Sequence, residues 1–112
     1  MKNLEPAQYL QSPGNYLLID VRSDMEWDAA HDDSAVHIPL TELLEKVAPL
    51  PKDKPLALIC RTGGRSLRAC QMLESSGRNL FNVVGGMRGL VEAKKNKGII
   101  SEQEFEQMMA KL

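Results

Sequence analysis

The chain has 112 residues, 43% hydrophobic and 26% charged, the usage of one ordinary globular domain able to bury a single core. Fourteen Lys and Arg face 15 Asp and Glu, a net charge of -1, which excludes a general electrostatic pull toward nucleic acid or anionic membrane. There is no apolar run of about 18 residues to span a bilayer, and the segment from Met1 to Pro6 lacks the apolar stretch of a secretory signal. Cys60 and Cys70 are too few for a disulfide framework, so the expected setting is cytoplasmic and reducing, where a free reactive thiol persists.

In chain order, the first apolar run is Tyr16-Leu17-Leu18-Ile19, which ends at Asp20 and predicts a strand. Ser23-Asp24-Met25-Glu26 has the form of a capping box and predicts a short helix over about 24–31, with Trp27 as a core anchor. Ala35-Val36-His37-Ile38 is a weaker strand signal stopped by Pro39, and Thr41 to Val47 reads as a helix closed by Pro49. Leu56-Ala57-Leu58-Ile59 is the most apolar strand and ends at Cys60. From Arg65 to Ser76, Ala69, Cys70, Met72 and Leu73 recur at helical spacing before Gly77. Leu80-Phe81-Asn82-Val83-Val84 predicts a further strand, and a helix follows Gly86 to the lysines at 94 and 95. Short apolar strands alternating with helices imply an α/β layer fold, a small and mostly parallel sheet with helices on both faces.

Residues 1–95 carry this pattern, and 96–112 form a C-terminal helical tail. In the tail, Ser101-Glu102-Gln103-Glu104 is a second capping box, and Phe105, Met108, Met109 and Leu112 make one apolar stripe. That stripe requires a partner, either the chain's own domain or a second subunit.

Ligands of an open parallel sheet bind beyond the carboxyl ends of its strands. Cys60 stands at such an end, followed by Arg61-Thr62-Gly63-Gly64-Arg65-Ser66 and a helix. The sulfur then faces a helix N-terminus, the glycines allow successive N–H groups to turn inward, and two arginines add positive charge. All three favour thiolate, which makes Cys60 the candidate nucleophile with a pKa below its free value. Protein tyrosine phosphatases place an Arg six positions after the nucleophilic Cys. Here Arg65 is five after Cys60 and Ser66 is six, a smaller loop that suits one added sulfur atom better than a tetrahedral oxyanion.

The motif Cys60-Arg61-Thr62-Gly63-Gly64-Arg65-Ser66 resembles the active-site loop of the single-domain rhodaneses, thiosulfate sulfurtransferases with a three-layer α/β fold. Leu18-Ile19-Asp20-Val21-Arg22, Glu26-Trp27, Ile38-Pro39 and Val84-Gly85-Gly86-Met87 match the family's other motifs in order and spacing. The resemblance implies a two-step reaction: the Cys60 thiolate takes the outer sulfur of thiosulfate, and a thiophilic acceptor, cyanide or a thiol, then takes it from the Cys60 persulfide. It implies Arg61 and Arg65 as anion-binding groups and the backbone of Thr62, Gly63, Gly64, Arg65 and Ser66 as the persulfide cradle. No metal or organic cofactor is implied, and a sulfur-relay protein is a further expected partner. A non-catalytic rhodanese-homology binding module is the alternative, as is a small phosphatase or arsenate reductase acting through Cys60.

Asp32 and Asp33 replace apolar or small residues usual in the family, and both are expected to face water. Leu90 stands where the family often has Trp and reads as a packing substitution. Cys70 and the Asp20–Arg22 pair are expected in the core and bracing the loop, and His31 and His37 in ordinary polar roles. The tail from Lys97 to Glu106 resembles the short C-terminal helical motif found at the ends of varied proteins, which implies interaction or oligomerisation through this helix.

Overall fold

Leu56–Ile59 is buried along its whole length and forms β4, the middle of a five-stranded sheet. The computed structural model describes Met1–Leu112. Its strands are β1 (Lys2–Leu4), β2 (Leu17–Asp20), β3 (Val36–His37), β4 and β5 (Leu80–Val83), in the spatial order β1-β5-β4-β2-β3. Every pairing is parallel, so the sheet is wholly rather than mostly parallel. The helices are α1 (Pro6–Gln11), α2 (Asp24–Ala29), α3 (Leu43–Val47), α4 (Gly64–Met72), α5 (Gly86–Asn96) and α6 (Glu102–Lys111). None is long and apolar enough to cross a membrane.

The period-2 alternation of β4 divides the core into two layers. Leu56, Leu58 and Cys60 join Ile19, Val21, Leu43, Val47, Ala69, Cys70 and Leu73 on the face covered by α3 and α4. Ala57 and Ile59 join Leu4, Tyr9, Leu18, Val83, Met87, Leu90 and Val91 on the opposite face, beneath α1 and α5. Cys70 is fully buried as expected, and Leu90 packs with 0% exposure.

β1 and α1 have no counterpart in the sequence reading. β1 is three residues long and only Leu4 is buried, too little apolar pattern to register. Its strand conformation comes from pairing Lys2–Leu4 with Phe81–Val83, a contact some 80 positions distant. Of the predicted elements, the helix over 24–31 ends at Ala29, because Ala30 is already extended. The helix from 65 to 76 stops at Met72 and passes through a 3-10 turn over Glu74–Ser76 before Gly77.

The tail helix lays its stripe, partly buried, on its own domain. Ile100, Phe105, Met108, Met109 and Leu112 pack against the core layer beneath α5, and the Lys95 ammonium lies 4.4 Å from the centre of the Phe105 ring. Ser101 caps α6 as the box predicts, accepting from the Glu104 N–H.

Two residue expectations are corrected. Trp27 is not a core anchor: it is half-buried and lies flat between His31 and His37, at 3.8 Å and 4.7 Å between ring centres. A six-residue helix with no buried residue cannot carry an indole into the interior. Asp32 does not face water: it is 7% exposed, accepts from Lys94 at 2.6 Å, and accepts from the Ser34 backbone N–H at 2.9 Å. Lys94 comes from α5, 62 positions away, so only the tertiary fold reveals the partner. Burial works against that carboxylate, yet Lys94 and Ser34 outweigh it and hold its pKa below the usual range. Asp33 is exposed, as expected.

Candidate active site

Because all five strands run the same way, the residues that follow β2, β4 and β5 meet at one edge. Asp20, Arg22, Cys60 and the Gly85-Gly86 pair share it. Cys60 leaves β4 there, only 1% exposed, and α4 begins four residues later.

The loop is shaped around the sulfur. Gly63 adopts φ 115°, a conformation that side-chain-bearing residues rarely take. It turns its own N–H inward, and that N–H donates to Cys60 Sγ across 3.0 Å. Ser66, fully buried in the first turn of α4, places Oγ 3.4 Å from the same sulfur. Burial pushes the Cys60 thiol up. The Ser66 hydroxyl and the N–H groups of Ser66, Gly63 and Thr62 more than offset it, so the pKa lies below that of an ordinary thiol. The other thiol shows the contrast. Cys70, buried without such donors, is pushed up to about 11.

The support beneath the loop comes from the start of α5. Met87 N–H donates to the Cys60 carbonyl at 2.7 Å and Arg88 N–H to the Arg61 carbonyl at 3.2 Å. With both carbonyls held from below, the loop amides are left to face the sulfur. Gly86 makes the approach feasible, since a Cβ there would stand 2.5 Å from the Cys60 carbonyl oxygen.

On the flank, Asp20 and Arg22 form the ion pair expected from the sequence, 2.8 Å apart and fully buried. Arg22 also donates to the Ala30 carbonyl at 2.6 Å, and His37 Nε2 lies 2.8 Å from the Arg22 carbonyl. The pair thus ties β2, the segment after α2 and β3 into one frame beside the loop.

The two loop arginines differ. Arg65 points its guanidinium at Glu26 of α2, Nη1 donating to Oε1 and Nη2 to Oε2. This bidentate partner, with the Ser23 cap, lowers the Glu26 pKa to about 2. Arg61 is exposed and is the loop cation turned to solvent. Thr62 and Gly64 are also exposed. A cavity of about 290 Å³ opens beside Arg65, bordered by Arg22, Ser23, Leu40 and Thr41.

Two members of this arrangement escaped the sequence reading. Glu26 registered as a cap and a motif position, not as the partner of Arg65, because the pair spans 39 positions. Asn82 is 7% exposed on β5 and lies 2.6 Å from Ser66 Oγ. The available signal was a lone polar side chain inside the apolar run from Leu80 to Val84.

The arrangement can stabilise a sulfur anion, or a sulfur carrying one more sulfur, by fixed N–H donors in a largely dry setting. The family model for the Rhodanese-like domain matches residues 5–93. YtwF of Bacillus subtilis is 44% identical over 70 residues, spanning 62% of this chain and 68% of that protein. A sulfurtransferase of Allochromatium vinosum is 29% identical over 82 residues, 72% of this chain and 77% of the other. Among solved structures, a rhodanese-related protein from Thermoplasma volcanium superposes with a TM-score of 0.77 at 32% identity. That match covers 82% of this chain and 92% of the other.

Proposed function

We propose that this chain, which belongs to the rhodanese-like domain family, moves a sulfane sulfur through a persulfide on Cys60. The observation that carries the reading is the Gly63 N–H aimed at Cys60 Sγ, backed by Ser66 and by a depressed thiol pKa. In the first step the thiolate attacks the outer sulfur of thiosulfate, the S–S bond of the donor breaks, and sulfite leaves with the bonding pair. In the second, cyanide or a thiolate attacks the outer sulfur of the persulfide, and the Cys60 thiolate is the leaving group. The loop N–H groups hold negative charge on the terminal sulfur between the steps.

Arg61, exposed on the loop, is the group that receives the anionic donor. Arg65 contributes mainly as a strut: its bond to Glu26 fixes α2 against α4 and partly neutralises its charge toward a substrate. A partner protein that delivers or accepts sulfur fits the same chemistry, since one exposed cation selects weakly among small donors.

The test is the intact mass of purified protein before and after thiosulfate, without reductant, followed by cyanide. The expected result is a gain of one sulfur atom on Cys60 that cyanide removes. A Cys60 that alkylates readily yet gains no sulfur from thiosulfate or from a small-molecule persulfide would overturn the reading.

A further inference from the structure

Ser66 Oγ carries one proton and stands beside three groups able to accept it. Asn82 Oδ1 lies at 2.6 Å, the Gly63 carbonyl at 3.1 Å and Cys60 Sγ at 3.4 Å. When Cys60 is a thiol, its S–H can point at Ser66 Oγ while the hydroxyl donates to Asn82. When Cys60 is a thiolate, three acceptors compete for one proton, and two sets of lone pairs face an oxygen with nothing to give them. The amide resolves this conflict. Its two ends are nearly the same size, so a half-turn about χ2 puts Nδ2 where Oδ1 stood. Asn82 then donates to Ser66 Oγ, and the hydroxyl proton is free to turn to the sulfur.

The position of Asn82 fits such a role better than a packing role. It lies on β5, an interior strand between β1 and β4, directly across from Leu58. Asn is a poor strand former, and its burial is costly unless its hydrogen bonds are made. An apolar side chain would serve the layer formed by Leu58, Leu80 and Cys70 at lower cost.

We propose that Asn82 is a positioning residue that acts on Cys60 through Ser66, supplying or accepting a hydrogen bond according to the charge on the sulfur. It lets the Ser66 hydroxyl donate to the thiolate that attacks and to the thiolate that leaves. The inference rests on the proposed role of Cys60 as the nucleophile. The charged residues around the loop are Arg61 within it, Arg65 with its partner Glu26 from α2, the Asp20–Arg22 pair at the end of β2, and Arg88 on α5, whose backbone N–H meets the loop. None of them changes in the variants below.

The test is the rate of Cys60 alkylation by iodoacetamide against pH, located by peptide mass. It compares the parent chain, Asn82→Leu, Ser66→Ala and the double variant, with Asn82→Val as the strand-compatible replacement if Leu does not fold. Asn82→Leu and Ser66→Ala should each move the inflection up by about one pH unit, about tenfold less thiolate at neutral pH. The double variant should move no further than Ser66→Ala alone, because Asn82 acts only through that hydroxyl. A folded apolar variant with an unmoved or lowered inflection overturns the inference, and so does a double shift equal to the sum of the two. Alkylation requires no sulfur donor. A protein that shows the shift but never gains sulfur would therefore sink the proposed function while the link from Asn82 through Ser66 to the Cys60 thiolate stands.

Discussion

Met87 N–H donates to the carbonyl of Cys60 across 2.7 Å, so the helix that follows β5 holds the base of a loop that follows β4. The contact depends on Gly86, whose φ is 58° and whose missing Cβ leaves room for the carbonyls of Cys60 and Arg61. Gly86→Ala would meet the Cys60 carbonyl oxygen at 2.5 Å and carry the cost of a left-handed backbone. We expect a loss of at least about 2 kcal/mol and a slower alkylation of Cys60 in the protein that still folds. Urea unfolding and iodoacetamide kinetics read the two effects. An Ala variant of parental stability would refute the close approach.

The two cysteines should separate by pH. Cys60 is depressed by the Ser66 hydroxyl and the loop N–H groups, so it is expected to alkylate at lower pH than an ordinary thiol. Cys70 is raised to about 11 and should stay unmodified in the native protein through neutral pH. The stability linkage has opposite signs. The Cys60 contribution is present above the unfolded thiol pKa and is lost as pH falls through its lowered folded value. The Cys70 contribution is present below the unfolded pKa and is lost as pH rises through about 11. Peptide-resolved alkylation across pH 5 to 11 checks the order of reaction. Modification of Cys70 ahead of Cys60 would contradict it.

Glu26 supplies a separate acid dependence. Its pKa is lowered to about 2 by Arg65, against about 4.3 in an unfolded chain. Its contribution to stability is present above the unfolded value and is lost as pH falls toward about 2. Glu26→Gln should flatten the stability profile over that window. Denaturant midpoints taken between pH 2 and 5 decide the matter. An unchanged slope would mean that the pair does not persist in solution.

α6 lays Phe105 on the core layer beneath α5. Phe105→Ala is expected to cost about 2 kcal/mol, below the range for a fully buried Phe because this ring is only half-buried. The loss should be the same at every protein concentration. A destabilisation that grows on dilution would instead assign the stripe to an interface between copies.

Local pattern was enough for much of this molecule. The runs ending at Asp20, Cys60 and Val84 read as strands because each is short, apolar and bounded by polar residues or breakers, and each lies at or within one residue of the observed strand. Both capping boxes act as read, because a Ser hydroxyl and a Glu three residues on satisfy orphan N–H groups without outside help. Cys60, the two glycines and the helix start are contiguous, so their convergence was legible from spacing alone.

What the chain could not disclose locally is whatever depends on a distant partner. β1 is a strand because β5 offers it a ladder, Asp32 is buried because Lys94 reaches it, and Arg65 is drawn to Glu26 from another helix. Trp27 is held by two imidazoles on the surface, where a lone indole in a sequence suggests a core. Asn82 is one position of an apolar run in the sequence, and it meets Ser66 only because β5 lies beside β4 and α4. Hydrophobic periodicity and capping are properties of neighbours in sequence. The energy of a buried polar group depends on who meets it in space, and only the folded chain decides that.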